Sequence, residues 1–135
     1  MTDFNTQVIE EFRANGGKVG GPFEGAELVL MTTTGAKSGK PHTNPVVYFH
    51  DGDRIYVIAS AAGAPKHPAW YHNLVANPDL TVEVGTDKYQ ARATSVDDDA
   101  ERDRLYANAV SVMPGFAEYE QKTSRRIPVV YLDRV

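Results

Sequence analysis

Closely spaced β-forming segments limit the architectures open to this sequence. Six segments rich in β-branched, aromatic and aliphatic residues are candidate strands: Leu28–Thr34, Thr43–His50, Arg54–Ser60, Thr81–Gly85, Tyr89–Val96 and Ile127–Leu132. Turn-forming runs at Asp51-Gly52-Asp53 and Thr86-Asp87-Lys88 predict two antiparallel hairpins. This spacing rules out a repeating βαβ arrangement, because parallel strands need a long crossover. The sequence therefore predicts a mainly β fold with helices, built as a barrel of about six mostly antiparallel strands.

An amphipathic helix is predicted at the N-terminus. Apolar residues recur at helical spacing from Phe4 to Phe12, which indicates a helix over Thr2–Ala14 that ends before Gly16-Gly17. Such a helix either docks on the core or a partner subunit, or lies on a membrane surface. Its polar face lacks the basic residues of membrane-surface helices, which favours docking.

Two further helices are predicted between the later strands. Pro68–Ala76 begins with a proline, which suits the first position of a helix. Asp98–Val112 follows the run Asp97-Asp98-Asp99 and ends at Met113-Pro114-Gly115. Acidic residues at a helix start complement its dipole, so the run is interpreted as a capping segment rather than a metal cluster. The four histidines show no standard ligand spacing, and no metal site is expected.

The composition fits one globular domain rather than two. The chain has 135 residues, of which 41% are hydrophobic and 24% charged. We expect a single domain, with residues 1–26 forming the N-terminal helix and a Gly-rich connector and residues 27–135 forming the barrel. The formal net charge of -4 disfavours a nucleic-acid surface, so any anion must be held by a local site.

The sequence shows no pattern that predicts export or membrane insertion. Its first residues lack a basic stretch followed by an apolar run, and no window approaches the roughly 18 apolar residues of a membrane span. Cysteine is absent, which fits a reducing compartment. We expect a cytoplasmic protein with, at most, weak membrane-surface association.

The loop Gly35-Ala36-Lys37-Ser38-Gly39-Lys40, here named the Lys loop, follows the first predicted strand. A nucleotide-binding P-loop has four residues between its glycines, then Lys and Ser/Thr at the start of a helix. Here three residues separate the glycines, Pro41 replaces Ser/Thr and a strand follows, which excludes a triphosphate cradle. The glycines, the hydroxyl and the two ammonium groups still suit phosphate or carboxylate oxygens. From these residues alone, a solvated hairpin with lysines for solubility is the alternative.

Two later segments could contact a flat ring. Small residues follow one another in Ala59-Ser60-Ala61-Ala62-Gly63-Ala64, where a backbone can approach a ligand closely. Pro68-Ala69-Trp70-Tyr71-His72-Asn73-Leu74 then places the only tryptophan beside a tyrosine at a helix start, whose free N–H groups form a possible anion site. The alternatives are a plain small-residue loop and aromatic side chains that belong to the core.

In this order the motifs resemble the deazaflavin-dependent nitroreductase family of actinobacteria. The motifs that carry the resemblance are Thr32–Pro41, Asn44-Pro45-Val46, Ala59-Ser60, Gly63-Ala64, Pro68–Leu74, Asn77-Pro78 and Arg126–Val130. The resemblance implies a split β-barrel, related to barrels that bind flavin mononucleotide (FMN), that holds reduced coenzyme F420. Such an enzyme passes hydride from C5 of the deazaflavin ring to an acceptor, which we expect to be a quinone, an activated enone or lactone, or a nitroaromatic.

The resemblance also implies roles by position. Residues implied in cofactor binding are Leu30, Met31, Thr32, Ala36, Lys37, Ser38, Gly39, Lys40, Pro41, Ile58, Ala59, Ser60, Ala61, Ala69, Trp70, Tyr71, His72 and Asn73. The Lys loop would bind the phosphate and lactyl-glutamate tail, and the ring would lie along the two later segments. Met113, Phe116 and Tyr119 would contact the substrate. The proton would come from solvent water or from a hydroxyl group, and the candidate side chains are Ser60, Tyr71 and Tyr119.

The chain departs from the family pattern at several positions. Some members have a basic residue where Ala36 stands, so the tail site here is less cationic. Members that reduce nitroimidazoles have tyrosines where this chain has Met113 and Phe116, which leaves a more apolar pocket. Two other functions stay open, namely a barrel that uses FMN and a non-catalytic carrier of a deazaflavin or fatty acid. A homodimer is also expected, because most soluble oligomers are symmetric homo-oligomers and barrels of this kind often pair through a sheet face.

Overall fold

The computed structural model describes residues 4–20, 27–60 and 66–135, and the strands within them close into one barrel. The strands are β1 (Leu28–Thr34), β2 (Pro41–Asp51), β3 (Arg54–Ile58), β4 (Asp79–Val84), β5 (Asp87–Ser95) and β6 (Val129–Arg134), and the helices are α1 (Phe4–Ala14), α2 (Ala69–Ala76), α3 (Asp99–Val112) and α4 (Gly115–Lys122). The order around the barrel is β1-β2-β3-β6-β5-β4, and every pairing between these strands is antiparallel. The predicted barrel is confirmed.

Alternating side chains along the strands fill the barrel. In β1, Val29 and Met31 are fully buried in the interior cluster, whereas Leu28 and Leu30 belong to a cluster on the outer face. Trp70 of α2 is buried in the same interior cluster. The helix is therefore anchored to the inside of the barrel by an aromatic side chain that the sequence left open as core or cofactor contact.

Helix α1 covers part of the outer surface of the barrel. Val8 and Phe12 lie four residues apart on one face of the helix and are buried against Leu28 and Leu30. The helix therefore docks on the core, as its polar face indicates. None of the described helices is long and apolar enough to cross a bilayer.

Helices α3 and α4 cover another part of the outer surface and are joined by buried polar contacts. Arg102 of α3 is only 6% exposed; its Nε donates to the carbonyl of Ile127 at 3.0 Å, and its Nη1 lies 3.0 Å from a carboxylate oxygen of Glu120. The hydroxyl of Tyr106 donates to the carbonyl of Phe116 at 2.6 Å. These contacts fix α4 against α3, and α3 against the segment just before β6.

The acidic run has the structural role predicted for it. Asp98 is the N-cap of α3, and its carboxylate accepts a hydrogen bond from the N–H of Glu101 at 2.9 Å. Helix α4, in contrast, has no counterpart among the predicted helices. Pro114 interrupts the helical pattern after α3 but is itself the N-cap of α4, so a helix break and a helix start coincide there.

The bounds of β1 are as predicted, whereas those of the other strands differ from the sequence expectation by one or two residues at one or both ends. Val84 pairs with Asp87, so the turn between β4 and β5 is Gly85-Thr86 rather than Thr86-Asp87-Lys88. Gly85 has a φ of 58°, which favours glycine and places the turn there. Pro68 is the extended N-cap of α2 rather than its first residue.

The strand register brings several predicted site segments to one end of the barrel. The Lys loop connects the end of β1 to the start of β2. Strand β3 is antiparallel to β2, so Ile58 lies toward the same end, where it pairs with Val129 at the start of β6. This end is named the Lys-loop end. The turns at Gly52-Asp53 and Gly85-Thr86 lie at the opposite end.

Candidate functional site

Hydrogen bonds within the backbone close the Lys loop. The N–H of Gly35 donates to the carbonyl of Lys40 at 2.8 Å, and the N–H of Gly39 donates to the carbonyl of Gly35 at 3.0 Å. Gly39 has a left-handed φ of 69°. A Cβ atom on Gly35 would overlap with Oγ of Ser38 and lie 3.1 Å from Nε2 of His42. Glycine is therefore favoured at both positions, by the backbone angle of Gly39 and by the close packing around Gly35, and the loop holds one defined shape.

Asn73 of α2 connects the helix to the Lys loop. Its Oδ1 accepts a hydrogen bond from the N–H of Ala36 at 3.0 Å, and its Nδ2 donates to Oγ1 of Thr33 at 3.0 Å. Asn73 and Thr33 are both buried, and a buried polar group that lacks a partner costs free energy. The side chain therefore fixes the loop relative to the helix, a role that the sequence did not predict for it.

A cavity of about 630 Å³ lies between the Lys loop and α2, a volume typical of small-molecule and cofactor sites. It is lined by Gly35, Ala36, Lys37, Ser38, Pro41, His42, Thr43, Asn44, Ala69, Trp70, His72 and Asn73. None of these lining residues is acidic, although the chain as a whole has a formal net charge of -4. Lys37, His42 and His72 are the lining side chains that can carry positive charge. The cavity therefore suits an anionic group.

The start of α2 adds backbone donors to this cavity. The helix has no acidic residue in its first turn, and its N-cap, Pro68, makes no side-chain capping bond. Ala69 and Trp70 at this end line the cavity. The N–H of Tyr71 donates to the carbonyl of Pro68 at 3.0 Å. The other N–H groups of a first turn have no acceptor within the helix, and the helix dipole favours negative charge beside them. The start of α2 and the Lys loop thus line the same cavity, and both favour a negatively charged group in it.

The structure brings eight of the predicted cofactor-binding residues together around the cavity. These are Ala36, Lys37, Ser38, Pro41, Ala69, Trp70, His72 and Asn73. Gly35, His42, Thr43 and Asn44 also line it and were missed, although their positions beside the loop on paired strands were a signal for them. Leu30, Met31, Thr32, Gly39, Lys40, Ile58, Ala59, Ser60 and Tyr71 are not among its lining residues, and Ala61 lies outside the described residues.

Three of these other residues have different structural surroundings. Leu30 is fully buried beneath α1, and Met31 is fully buried inside the barrel. Oγ1 of Thr32 lies 2.8 Å from Oγ1 of Thr43, which does line the cavity. Their contact with a cofactor stays a prediction.

Arg125, between α4 and β6, connects the two segments predicted to lie along a ring. Its Nη1 donates to the carbonyl of Ala59 at 3.1 Å and its Nη2 to the carbonyl of Ser60 at 2.7 Å. The same Nη1 lies 2.9 Å from Nδ1 of His67, just before α2. Burial lowers the pKa of His67 below its ordinary value, and the positive charge of Arg125 and the neighbouring His72 lower it further. Arg125 and His67 were not predicted as site residues.

Met113, Phe116 and Tyr119 do not line this cavity. Phe116 is buried between the barrel and the α3–α4 pair, with its ring centroid 5.3 Å from that of Phe49. Tyr119 packs on Phe116 at a centroid distance of 5.1 Å, and Met113 is half-buried against the same cluster. The three residues lie together, but their contact with substrate stays a prediction. Among the described residues, no group of three or more His, Asp or Glu side chains could hold a metal ion.

Comparisons with known proteins identify similar sequences over nearly the whole chain. A family model described as F420H(2)-dependent quinone reductase matches residues 5–134. An F420H(2)-dependent quinone reductase from Mycobacterium tuberculosis, strain ATCC 25618 / H37Rv, is 39% identical over 129 residues, which cover 91% of this chain and 85% of that protein.

Solved structures share the fold at similar levels of identity. An F420-H2 dependent reductase superposes with a TM-score of 0.71 at 39% identity, covering 79% of this chain and 94% of that chain. A structure described as a domain-swapped dimer superposes with a TM-score of 0.73 at 35% identity, covering 94% of this chain and 96% of that chain. Sequence and structure therefore lead to the same group of proteins.

Proposed function

The chain belongs to the F420H(2)-dependent quinone reductase family, and on this premise we propose that it binds coenzyme F420 across the Lys-loop cavity and reduces a quinone. As a member of this family it is an F420-dependent oxidoreductase whose hydride donor is the reduced coenzyme. The observation that carries the proposed site is the cavity itself, which has no acidic side chain among its described lining residues and lies between two groups of anion-binding donors.

The residues around the cavity fit the acidic tail of the cofactor. Lys37 supplies an ammonium group and Ser38 a hydroxyl on the loop side, while the first-turn amides of α2 supply donors on the other. His42 and His72 add imidazoles that donate hydrogen bonds to phosphate or carboxylate oxygens. Lys40 is exposed on the same loop and adds a further positive charge to it.

The flat part of the cofactor is proposed to extend from the cavity toward Ala59 and Ser60. These residues lie at the Lys-loop end, just after β3, and Arg125 holds both of their carbonyls. When bound, the reduced cofactor supplies the hydride from its ring, and the chain supplies position and electrostatics. Alignment of donor and acceptor can account for much of a rate enhancement, so a site without a protein nucleophile suffices.

The reduced acceptor also needs a proton. Tyr71 is our first candidate among the side chains, because it is half-buried on α2 and its neighbours in the chain, Trp70 and His72, both line the cavity. Its ring centroid lies 4.9 Å from that of His67. Ser60 is the second candidate, beside the proposed ring position, and Tyr119 is the third.

Cofactor binding can be tested with the fluorescence of oxidised coenzyme F420. We expect the purified protein to quench or shift this fluorescence, and Lys37→Ala to weaken binding about tenfold at low salt through loss of one charge-assisted contact. Lys88→Ala is the matched control, because Lys88 is exposed near the Gly85-Thr86 turn at the opposite end of the barrel. No binding by the wild type at low salt, or equal losses in both variants, would contradict the proposed site.

Catalysis can be separated from simple carriage in a single turnover. We expect the reduced cofactor bound to the protein to be oxidised on mixing with menadione, faster than in a solution without protein. A carrier would leave the cofactor reduced. In a panel that includes an enone, a lactone and a nitroaromatic, a higher kcat/KM for a non-quinone would contradict the quinone assignment, and bound FMN in the purified protein would contradict the cofactor.

A homodimer is proposed as the assembly. The supporting observation is the similar structure described as a domain-swapped dimer, at 35% identity over 94% of this chain. Light scattering coupled to size-exclusion chromatography measures the mass directly, and the mass of a monomer over a wide concentration range would contradict the proposal.

A further inference from the structure

We infer that Arg125 and His67 form a positioning pair that holds the end of β3 against the segment before α2, and that the pair requires a neutral His67 imidazole. The inference rests on the proposed cofactor site. It extends that site to two residues that are not among those lining the Lys-loop cavity.

The first half of the pair acts on the backbone after β3. Ala59 still donates its N–H to the carbonyl of Pro128 at 2.9 Å, as a continuation of the barrel. Its own carbonyl and that of Ser60 are both bound by the guanidinium of Arg125. Two bonds from one planar, rigid group fix direction as well as position. Arg125 therefore sets the path of the chain as it leaves the barrel toward the proposed ring site.

The second half of the pair depends on the protonation of His67. A guanidinium can only donate hydrogen bonds, so Nδ1 of His67 must accept the bond from Nη1 of Arg125. Nδ1 can accept only when it carries no proton, which places the proton of the neutral imidazole on Nε2. Protonation of Nδ1 would remove the acceptor and put a second cation against the guanidinium.

The surroundings of His67 favour the neutral form at neutral pH. Among the residues that the structure describes, the groups that face it are the cation Arg125, the ring of Tyr71 at 4.9 Å and the ring of His72 at 5.8 Å. Lys66 is its exposed neighbour in the chain, and residues 61–65 contain no ionisable side chain. Burial, with Arg125 and His72, lowers the pKa of His67.

The direction of the pH effect follows from this lowered pKa. The unfolded chain takes up a proton on His67 at about pH 6.5, before the folded protein does. The stability that the pair contributes to the folded state is therefore fully present above the pKa of His67 in the unfolded chain. It is lost as the pH falls below that pKa and through the lower pKa of the folded state. The site should lose order in mildly acidic solution.

The pair can be tested without cofactor by NMR titration of the histidine ring protons. Loss of a signal in His67→Asn assigns His67 among the four histidines. We expect the wild-type His67 to titrate below its ordinary pKa and to shift upward in Arg125→Gln, which removes the positive charge. Arg54→Gln is the control, because it breaks an exposed pair with Asp133 at the opposite end of the barrel. An unchanged His67 pKa in Arg125→Gln would overturn the inference.

The effect on the site can be tested by cofactor affinity at two pH values. At about pH 7.5, where the imidazole is neutral, His67→Asn offers an oxygen acceptor in place of Nδ1 and should bind like the wild type. His67→Ala and Arg125→Gln should bind about tenfold more weakly through lost hydrogen bonds. At a pH below the His67 pKa found in the NMR titration, where its imidazole is protonated, the wild type should bind more weakly relative to His67→Asn. The titration of the free cofactor is common to both proteins, so it cancels in their ratio.

The outcomes separate this inference from the proposed function. If the wild type binds the cofactor and the three variants His67→Asn, His67→Ala and Arg125→Gln bind as tightly as it does at both pH values, the positioning pair is wrong and the site stands. If the wild type fails to bind at neutral pH, the proposed site is wrong, and the NMR titration still decides whether the pair exists. If Arg125→Gln does not fold, Arg125→Lys keeps the charge while losing one of the two carbonyl bonds and should show a smaller loss of affinity.

Discussion

At the scale of single residues, buried polar side chains rather than the exposed lysines give the candidate site its shape. Lys37 is exposed on its loop, whereas Asn73 is 8% exposed and bonded at both ends of its amide. An exposed charge can move to meet a ligand, but a buried amide holds one geometry. Asn73 therefore fixes the position of the Lys loop, and with it the position from which Lys37 can reach a ligand.

The role of Asn73 predicts a contrast between two substitutions. Asn73→Ala leaves the Thr33 hydroxyl and the Ala36 N–H without their partner, and should lower the free energy of unfolding by about 1–3 kcal/mol and weaken cofactor binding. Asn73→Asp keeps oxygen acceptors for both groups, because the Thr33 hydroxyl can donate instead. It should retain more stability but bind the cofactor poorly, since it adds negative charge beside the cavity. Urea unfolding measures the stability, and fluorescence titration measures the cofactor affinity. An Asn73→Ala protein with the stability and affinity of the wild type would contradict this role.

Gly35 makes a second prediction at this scale. In Gly35→Ala the new methyl group displaces Oγ of Ser38, which now accepts the N–H of Lys40 at 3.2 Å, so the loop should lose about 1 kcal/mol of stability and some cofactor affinity. Adding Ser38→Ala relieves the overlap and should recover part of the stability but none of the affinity. Equal affinity in the single and wild-type proteins would show that the shape of the loop is not needed.

At the scale of elements, the stability that arginines of α3 contribute depends on how deeply their side chains are buried more than on how many ion pairs they form. Arg102 and Arg104 lie two residues apart on α3, and each contacts two carboxylates. The side chain of Arg102 is 8% exposed and also bonds the carbonyl of Ile127, whereas that of Arg104 is 53% exposed. Exposed pairs contribute little because water and salt screen them.

Substitution of these two arginines tests that argument. Arg102→Ala leaves the buried Ile127 carbonyl unpaired and removes the link to α4, and should reduce the free energy of unfolding by about 2–3 kcal/mol. Arg104→Ala should cause a clearly smaller loss, although it breaks the same number of ion pairs. Chemical denaturation of both variants measures the two losses in the free energy of unfolding. Equal losses would show that the number of ion pairs, rather than burial, determines the contribution of each arginine.

Tyr106 links the same two helices and predicts a response to alkaline pH. Burial, followed by the charge of Glu120, raises the pKa of Tyr106 to about 12. The unfolded chain loses this proton near pH ~10, so the contribution of Tyr106 to stability is present below that pH and is lost as the pH rises to about 12. Tyr106→Phe should be less stable at neutral pH by about 1 kcal/mol, because the Phe116 carbonyl loses its donor. Its stability should decline less steeply above pH ~10, and an identical alkaline decline would contradict the assignment.

Elements set by local sequence were predictable, and those set by distant contacts were not. The bounds of β1 and the capping role of Asp98 follow from runs of neighbouring residues. Helix α4 was missed because Pro114 is a strong local signal for a helix end, and only packing shows that it also starts a helix. Strand alternation places the side chains of Leu30 and Met31 on opposite faces of β1, as could have been read from the sequence, and the cofactor contact predicted for both stays a prediction.

The site follows the same division. The Lys loop and the start of α2 were predictable because each is a contiguous motif. Asn73 bonds a residue 37 positions away, and Arg125 bonds Ser60 across 65 positions. Only the register of the barrel brings such residues together, so one sequence cannot indicate their roles.

At the scale of the whole molecule, the charge of the protein opposes the charge of its proposed ligand. The formal net charge is -4, and an acidic cofactor tail is repelled at long range. Within the cavity, the cationic groups and the helix start attract it over short distances. Salt screens both interactions, but they act on different rate constants, since long-range fields govern association and local contacts govern dissociation.

Stopped-flow fluorescence at increasing salt can resolve the two effects. The association rate constant should stay constant or rise as the repulsion is screened, while the dissociation rate constant rises as the local contacts weaken. In Lys37→Ala the salt effect on dissociation should be smaller. A steep fall of the association rate with salt would instead indicate attraction by the whole protein surface, contrary to its net charge.

The closed ring of strands also governs how the chain acquires its structure. Three of its six pairings join strands that follow one another closely, β1 with β2, β2 with β3 and β4 with β5, and can form early as hairpins. The other three join distant parts of the chain: Ile58 pairs with Val129, Val29 with Val84 and Ala91 with Arg134. Non-local pairings incur the entropy of loop closure before they contribute any stability, which slows folding. The cavity between the Lys loop and α2 therefore becomes able to bind a ligand only late in folding, when the last strand pairings close the barrel.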